Sequence, residues 1–438
     1  MSCKMSYFPD FVKEKLLSII REASKSREKF VKNPMKDFTR KRKLPFESVV
    51  RIIISMGGNS IYKELLDEFD FSVDVPTSSA FVQQREKILV DTFAFIFKQF
   101  NDLSLNLKKH RGYRLLALDG SNLIFAADPE CPNTFIQTNP NSKGYNSKCL
   151  TVLYDLCNKV YLDAVIQDIH EVDERQALYT MIDRSDINEK LILTADRGLE
   201  GYSTMAHIQE KGQFYVIRVK DGGGGIVCGL NLKRSDEFDV RVNKILTFKK
   251  TKEVKSKPDV YKIFGSNSTF DFIEKGVSDF YSITFRVVRV LLENGKFETL
   301  ITNLPEHHFA PNDLKAIYNR RWGIETSFRK LKHTIGLSNF HARKQVFIEQ
   351  EIFAKLIMYN FVEKIVSHVV SAHMRIKYEH IANFTVASFV CRRFFRDLCD
   401  SSGAMIIIAK NTIPIRPDRH FARNIQKRSA VSFIYRVA

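Results

Sequence analysis

The stretch Ala316–Gly336, AIYNRRWGIETSFRKLKHTIG, decides how the rest of the chain is interpreted. Its apolar residues recur at helical spacing, so the sequence predicts one helix over the whole stretch. At about 100° per residue, four of its side chains fall within an arc of roughly 60°, namely Tyr318, Arg321, Glu325 and Lys332. An acid, a tyrosine and two cations therefore share one edge of the helix. A carboxylate flanked by cations is typical of a metal ligand beside a phosphate-bearing polymer.

Two earlier segments could supply further carboxylates. Tyr113–Ser121, YRLLALDGS, is a short apolar run that leads to Asp119, and Leu191–Gly198, LILTADRG, is a second that leads to Asp196. Both runs have the length and composition of buried strands. Magnesium prefers hard oxygen ligands and keeps some of its waters, so a few carboxylates suffice to hold it. The two aspartates and Glu325 are therefore a candidate triad for divalent metal ions.

The combined pattern resembles a known family. The spacing Y-x2-R-x3-E-x6-K, preceded by the DGS and TADRG segments in that order, resembles the YREK group of bacterial DDE transposases. These are cut-and-paste enzymes of the insertion-sequence-four type. The resemblance runs from about Phe38 to the C-terminus, and the region from Leu115 to Phe340 carries its specificity. It implies a ribonuclease H-like (retroviral-integrase) catalytic fold.

The resemblance also implies a role for each candidate residue. Asp119 would bridge two Mg²⁺ ions, for which Mn²⁺ may substitute, while Asp196 and Glu325 would each complete the ligands of one ion. Arginine can bind a phosphate bidentately, lysine acts as a point charge, and tyrosine can stack or donate a hydrogen bond. The three residues expected to hold transposon-end DNA are Tyr318, Arg321 and Lys332.

The activity implied by the family is DNA transposition. Such an enzyme binds the terminal inverted repeats of an insertion sequence, cleaves the ends by metal-dependent hydrolysis and transesterification through a DNA hairpin, and joins them to target DNA. Because an element has two ends, a homodimer in a paired-end complex is expected. Two alternatives stay open, a ribonuclease H-like nuclease without strand transfer and a catalytically inactive DNA-binding relic. The β-rich block and the YREK cations argue against the first, and the intact triad argues against the second.

The distribution of charge favours a polyanionic partner. The chain has 438 residues and a formal net charge of +18. Residues 1–50 contain 13 Lys and Arg against 6 Asp and Glu, and residues 392–438 contain 10 against 3. Each end is thus about +7, whereas the middle is nearly neutral. Basic ends of this kind suggest contacts with nucleic acid, although a merely soluble basic surface is the alternative.

The pattern of elements predicts an α/β fold. It is a ribonuclease H-like mixed-sheet catalytic core, interrupted by a β-rich insertion that includes a hairpin turning at Asn294-Gly295. A helical region precedes the core and another follows it. The predicted regions are a basic DNA-binding N-terminal region (1–105), the first part of the core (106–220), the insertion (221–310), the second part of the core with the YREK helix (311–375) and a basic C-terminal region (376–438).

Four further features bear on location, assembly and metal binding. The seven cysteines include no Cys-x-x-Cys pair, which favours reduced thiols in a bacterial cytoplasm, with action at the nucleoid. No signal peptide and no apolar run of about 18 residues is visible, so no membrane partner is expected. In the basic tail, Phe394, Phe395 and the run Ile406–Ile408 are candidates for the dimer contact, with packing on the chain's own core as the alternative. The segment His170–Glu174, HEVDE, lacks the second histidine of a zinc protease, so a loop with a helix cap is expected.

Overall fold

The computed structural model describes residues 3–414 except 41, 102–106, 222–223, 231, 233–235, 275 and 373–379. Five α-helices within these residues precede the first strand. A typical start is that of the fourth helix, where the Thr77 hydroxyl caps the Ala80 amide at 3.1 Å. The helical character predicted for the N-terminal region is confirmed. The bounds are α1 Cys3–Lys25, α2 Phe46–Ser55, α3 Ile61–Glu68, α4 Ser78–Arg85 and α5 Asp91–Asn101.

Ten strands within the described residues form one mixed sheet. Their order is β2-β3-β1-β5-β6-β10-β9-β7-β8, and β4 pairs with β3 on the same outer edge as β2. The bounds are β1 Arg114–Phe125, β2 Phe135–Ile136, β3 Tyr145–Asp155, β4 Val160–Asp168, β5 Leu191–Ala195, β6 Phe214–Arg218, β7 Phe238–Thr247, β8 Tyr261–Ile263, β9 Phe280–Leu291 and β10 Phe297–Thr302.

The first five long strands have ribonuclease H-like topology. Strands β4, β3 and β1 are antiparallel neighbours, whereas β1, β5 and β6 run parallel. Helices α6 (Glu174–Asp183) and α7 (Tyr202–Glu210) make the crossovers to β5 and β6. The sequence predicts this order, in which three antiparallel strands are followed by parallel strands with crossover helices. The predicted fold class is confirmed.

The insertion extends this sheet. Strand β10 pairs antiparallel with β6, and β9, β7 and β8 follow it outward. A short helix α8, Lys252–Ser256, connects β7 and β8. The predicted hairpin turn joins β9 to β10, with Gly295 at φ 75°, a left-handed conformation that favours glycine. The β-rich block therefore shares backbone hydrogen bonds with the catalytic strands.

The YREK segment is not the single helix that the sequence predicts. It divides into α9 (Pro311–Arg320), α10 (Trp322–Arg329) and a π-helical turn (Lys330–Ile335). At the junction the Arg321 amide donates to the Tyr318 carbonyl at 2.9 Å, a three-residue spacing tighter than that of an α-helix. The wider π turn follows, so the angular positions expected from a uniform helix do not hold for Lys332.

Helix α11, Gln345–Ala372, lies between the sheet and the N-terminal helices. On the sheet side, the ring of Tyr359 packs on Tyr161 at a centroid distance of 4.7 Å. On the other side, Arg85 of α4 donates to Glu351 at 2.9 Å, and both side chains are almost fully buried. No helix among the described residues is long and apolar enough to cross a membrane.

The C-terminal elements pack on the N-terminal helices. They are α12 (Phe384–Phe395), α13 (Ser401–Lys410) and a two-stranded sheet of β11 (His380–Ala382) and β12 (Thr412–Pro414). Arg396 donates to Glu64 of α3 at 2.7 Å, and Ser401 donates to Asp10 of α1 at 2.6 Å. The prediction that Phe394, Phe395 and Ile408 form a dimer contact is wrong, because all three are buried in the chain's own core. Residues 415–438 of the predicted tail lie outside the described residues.

Candidate active site

The two aspartates are brought together by the register of parallel strands. Ala117 of β1 is paired with Thr194 of β5. Two residues further along each strand direction stand Asp119 and Asp196. Side chains two residues apart lie on the same face of a strand, so both carboxylates lie on the same side of these neighbouring strands. Asp196 directly follows the end of β5, whereas β1 continues past Asp119 to Phe125 because this part still pairs with β3. The sequence prediction that the two segments meet is supported by this pairing.

Arg321 joins Asp119 to the glutamate of α10. Its Nη1 lies 3.7 Å from Asp119 Oδ2, and its Nη2 donates to Glu325 Oε1 at 2.9 Å. Only 10% of the Arg321 side chain is exposed, so these charges interact at close range with little screening. The structure therefore places one cation between two members of the predicted acidic triad.

The charge balance of the site leaves Asp119 poorly compensated. Burial, and to a smaller extent the negative charges of Asp196 and Glu325, together raise the pKa of Asp119 to about 6. Arg321 and the Gly120 amide act in the opposite direction but do not cancel the effect. A carboxyl whose pKa is raised by burial and by neighbouring acids marks a candidate site for a cation.

Asp196 also has a structural role. Its Oδ1 accepts a hydrogen bond from the Gly198 amide at 2.8 Å and caps the 3₁₀ turn Arg197–Leu199. This interaction is the helix-cap alternative to a catalytic role, and it engages only one carboxylate oxygen. The cap fixes the carboxylate on the loop that follows β5, so the same contact can orient it toward a ligand.

The three predicted DNA-binding residues lie at different distances from the acids. Arg321 contacts them directly, and the Tyr318 ring lies 5.8 Å from its guanidinium carbon. The Tyr318 hydroxyl is buried beside Arg321 but forms no hydrogen bond of good geometry with any described residue. Lys332 donates to the Asn122 carbonyl at 2.7 Å, three residues beyond Asp119 on β1. Arg321 is thus the predicted cation that contacts the acids, whereas Lys332 contacts β1 further along the strand.

The family comparison covers this entire arrangement. A sequence model of the transposase DDE domain matches residues 110–361, which is more than half of the chain. The chain belongs to the transposase DDE domain family. The matched segment contains all six candidate residues and the β7–β10 insertion. No curated protein matches the chain significantly.

The chain is similar to a solved transposase structure. It is the piggyBac transposase in its synaptic complex with hairpin DNA. The sequences are 9% identical, the TM-score is 0.48, and the alignment covers 93% of this chain and 83% of that chain.

Sequence reasoning missed two residues that complete the polar surroundings of this DDE site. Arg218 ends β6 and lies 3.9 Å from Glu298 of β10 and 5.7 Å from the Tyr318 ring. Because β6 is parallel to β5, its carboxyl end lies at the same sheet edge as Asp196, and that signal could have indicated Arg218. Glu298 could not be found in this way, since its place depends on the pairing of the insertion with β6.

Glu174 is a third residue that the sequence analysis did not place at the site. It follows Asp173, which caps α6 by accepting from the Arg175 and Gln176 amides, so the predicted helix cap is confirmed. A Cβ atom on Gly120 would lie 2.5 Å from Glu174 Oε1. Burial, and then the charge of Asp196, raise the pKa of Glu174. A fourth carboxylate thus closely approaches the backbone beside Asp119, and a side chain at position 120 would displace it.

The chemistry of the donor set fits a divalent cation. Three carboxylates converge on one sheet edge, and carboxylate oxygens are the ligands that Mg²⁺ prefers. Among the described residues, no three His, Cys, Asp or Glu side chains are close enough to hold one ion in this conformation. In this conformation the Arg321 guanidinium provides a positive charge between Asp119 and Glu325. Binding of a cation by Asp119 and Glu325 therefore requires rearrangement of their contacts with Arg321.

Proposed function

We propose that this family member is a DNA transposase of the insertion-sequence-four type. It binds the terminal inverted repeats of its element, cleaves the ends through a hairpin intermediate and joins them to target DNA, in a bacterial cytoplasm. The observation that carries the proposal is the contact of Arg321 with both Asp119 and Glu325. This contact unites the acidic and basic parts of the YREK pattern at the edge where Asp196 also lies.

The acidic residues hold the cofactor in this proposal. Asp119, Asp196 and Glu325 are the ligands, and two Mg²⁺ ions, for which Mn²⁺ can substitute, would polarise the attacking and leaving oxygens of the phosphodiester. Asp119 must be ionised to act as a ligand. Its pKa of about 6 means that it is ionised at neutral pH.

The basic residues orient the DNA end. Once the carboxylates are engaged elsewhere, the Arg321 guanidinium is available to a phosphate, to which it can donate two parallel hydrogen bonds. Lys332, which donates to the Asn122 carbonyl of β1, would supply a point charge to the DNA backbone. The buried hydroxyl of Tyr318 has no hydrogen-bond partner in the part of the chain that the structure describes, so it could donate a hydrogen bond to a DNA oxygen. The scissile phosphate would thus be held between cations and faced by the acids.

A second copy of the chain completes the proposal. One active site processes one DNA end, and coordinated excision needs both ends at once. A homodimer that holds two ends in a paired-end complex meets this requirement. The basic N-terminal and C-terminal regions would provide phosphate contacts outside the site.

The test is incubation of the protein with its flanking repeat DNA and Mg²⁺, followed by separation of nicked, hairpin and joined products. We expect hairpins and joined products from the wild type. Asp119→Ala, Asp196→Ala and Glu325→Ala should each abolish cleavage and keep end binding. Nicked products without any joining would show a nuclease that lacks strand transfer. Wild-type cleavage by any of the three variants would remove that residue from the ligand set.

A further inference from the structure

Arg175, the second residue of α6, reaches across to the loop that follows β5. Its Nη2 donates to the Glu200 carbonyl at 3.0 Å and to the Gly198 carbonyl at 3.3 Å, and its Nε lies 3.4 Å from the same Gly198 oxygen. A guanidinium can hold two acceptors in a fixed plane. One side chain of a neighbouring helix therefore holds the loop at two carbonyl groups, those of Gly198 and Glu200.

Gly198 links this side chain to Asp196. Its carbonyl accepts from Arg175, and its amide donates to Asp196 Oδ1 at 2.8 Å. Movement of Gly198 would therefore move the donor that orients the aspartate. The Arg175 side chain touches neither Asp196 nor any reacting group, so it acts on the carboxylate only through the loop backbone.

The far end of the loop is anchored independently. The Glu200 carboxylate accepts from the Lys220 amide at 2.9 Å and from the Ile226 amide at 2.5 Å. The near end continues β5, whose Thr194 hydroxyl donates to the Leu116 carbonyl of β1 at 2.9 Å. Between these two anchors, Arg175 is the side chain that holds the peptide groups next to Asp196.

The amino end of α6 meets both aspartate segments. Glu174 lies over Gly120, next to Asp119, and Arg175 holds the loop next to Asp196. Asp173 fixes this helix end through its cap. One helix end therefore lies against both β1 beside Asp119 and the loop that carries Asp196.

We propose that Arg175 is a positioning residue for Asp196, which sets the distance and orientation of this carboxylate relative to Asp119 and thereby the affinity for the divalent cation. This inference rests on the proposed function. Partners that orient metal ligands typically change metal affinity or activity by about 10- to 100-fold when removed. Arg175→Ala is expected to weaken Mn²⁺ binding within this range.

The experiment measures Mn²⁺ affinity of the full chain by electron paramagnetic resonance, without DNA and without turnover. The variants are Arg175→Ala, Arg175→Lys and, as a matched control, Arg184→Ala. Arg184 lies at the other end of α6 and donates to Asp163 at 2.6 and 2.8 Å, away from the loop. Melting temperatures without metal and binding of an end duplex in Ca²⁺ are recorded for every protein.

We expect Arg175→Ala to lose about 10- to 100-fold in Mn²⁺ affinity, with end binding unchanged. Arg175→Lys should recover part of the loss, because one ammonium can hold only some of these carbonyls, and Arg184→Ala should bind Mn²⁺ like the wild type. Equal affinity of Arg175→Ala and wild type, or equal losses in Arg175→Ala and Arg184→Ala, would overturn the inference. If Arg175→Ala does not fold, a further variant, Arg175→Gln, replaces it. Weaker Mn²⁺ binding by folded Arg175→Gln than by Arg175→Lys would then support the inference, and wild-type affinity in Arg175→Gln would overturn it. A wild-type chain that binds no Mn²⁺ would instead refute the proposed function.

Discussion

Burial and the charges of Asp196 and Glu325 raise the pKa of Asp119 to about 6, whereas its ordinary value is 3.8. The folded chain thus binds this proton more tightly than the unfolded chain does. The contribution of Asp119 to stability is therefore most favourable at low pH and falls as the pH rises from about 4 through 6. The proposed chemistry needs Asp119 in its ionised form. Ionisation of the same residue lowers the stability of the fold.

Asp119→Asn should remove this penalty. In the absence of divalent metal, we expect the Asn variant to melt at a higher temperature than the wild type at pH 8, and the gain to shrink toward pH 4.5. Differential scanning calorimetry at both pH values measures the two differences. An equal gain at both pH values would mean that ionisation of Asp119 has no share in it.

Arg321 can be tested against its neighbour Arg320, which is exposed, whereas the ion pairs with Asp119 and Glu325 are formed by Arg321. Each phosphate contact contributes about one unit to the slope of log affinity against log salt concentration. We expect Arg321→Ala to lower this slope by about one unit for a cleaved DNA end and to slow hairpin formation. Arg320→Ala should leave the rate of hairpin formation unchanged. If the wild type and Arg321→Ala have the same slope, Arg321 does not contact a DNA phosphate and its contacts are only within the protein.

The residue pattern predicts part of this site. The spacing from Tyr318 to Glu325 and the two strand ends are sequence-local, so the meeting of Arg321 with the acids follows from helix periodicity and strand register. Lys332 departs from the uniform helix because the π turn changes its angle. Arg175 and Glu298 could not be predicted, since each reaches the site through packing between elements far apart in sequence.

Among the elements, α4 and α11 provide a test of how the helical region is held on the core. Arg85 and Glu351 form an ion pair with about 1% of either side chain exposed, and His341 donates to the same carboxylate. Glu351→Gln would leave Arg85 buried without its counter-charge. Removing one partner of such a pair costs about 3–5 kcal/mol.

We therefore expect a large loss of unfolding free energy for Glu351→Gln, measured by urea titration. The matched control is Glu86→Gln, because Glu86, directly after α4, forms an exposed pair with Lys344, directly before α11. Surface pairs contribute little to stability, so the control should unfold near the wild-type midpoint. A Glu351→Gln midpoint equal to that of the control would show that the buried pair does not fasten α4 to α11.

The elements themselves were largely predictable. The alternating and apolar runs, together with Asn294-Gly295, locate the strands and the hairpin, because these signals depend on neighbours in sequence. The continuation of the catalytic sheet into the insertion was not predictable. It depends on pairing of Thr302 with Val216, two residues that no local pattern connects. The division of the YREK helix at Arg321 also has no marker such as proline in the sequence.

At the scale of the whole molecule, the N-terminal helices contact the described part of the C-terminal region. Lys13 of α1 pairs with Asp397 at 2.5 Å, and Arg51 of α2 pairs with the same carboxylate at 3.0 Å. The N-terminal and C-terminal helices thus form one unit on α11. Removing residues from Ser401 onward would strip α13 from α1, so a truncation would disturb the fold as well as any contact with a second copy.

Surface substitutions separate these two effects. Of the run Ile406–Ile408, Ile406 and Ile407 are 53% and 43% exposed, so charged residues can replace them without entering the core. We expect the double variant Ile406→Asp, Ile407→Asp to bind a single DNA end like the wild type but to form no paired-end complex. The physical reason is that two apolar faces brought together by a homodimer would instead bring like charges into contact.

Native gels with two labelled ends of different length measure the pairing, because a complex that holds both ends migrates at its own position. Val277→Asp, which changes a 79%-exposed valine of the insertion, is the control for an added surface charge. It should pair ends normally. If the double variant also pairs ends, α13 is not the dimer contact. If it loses single-end binding as well, the substitution has disturbed more than the contact, and its melting temperature should then fall below that of the Val277→Asp protein.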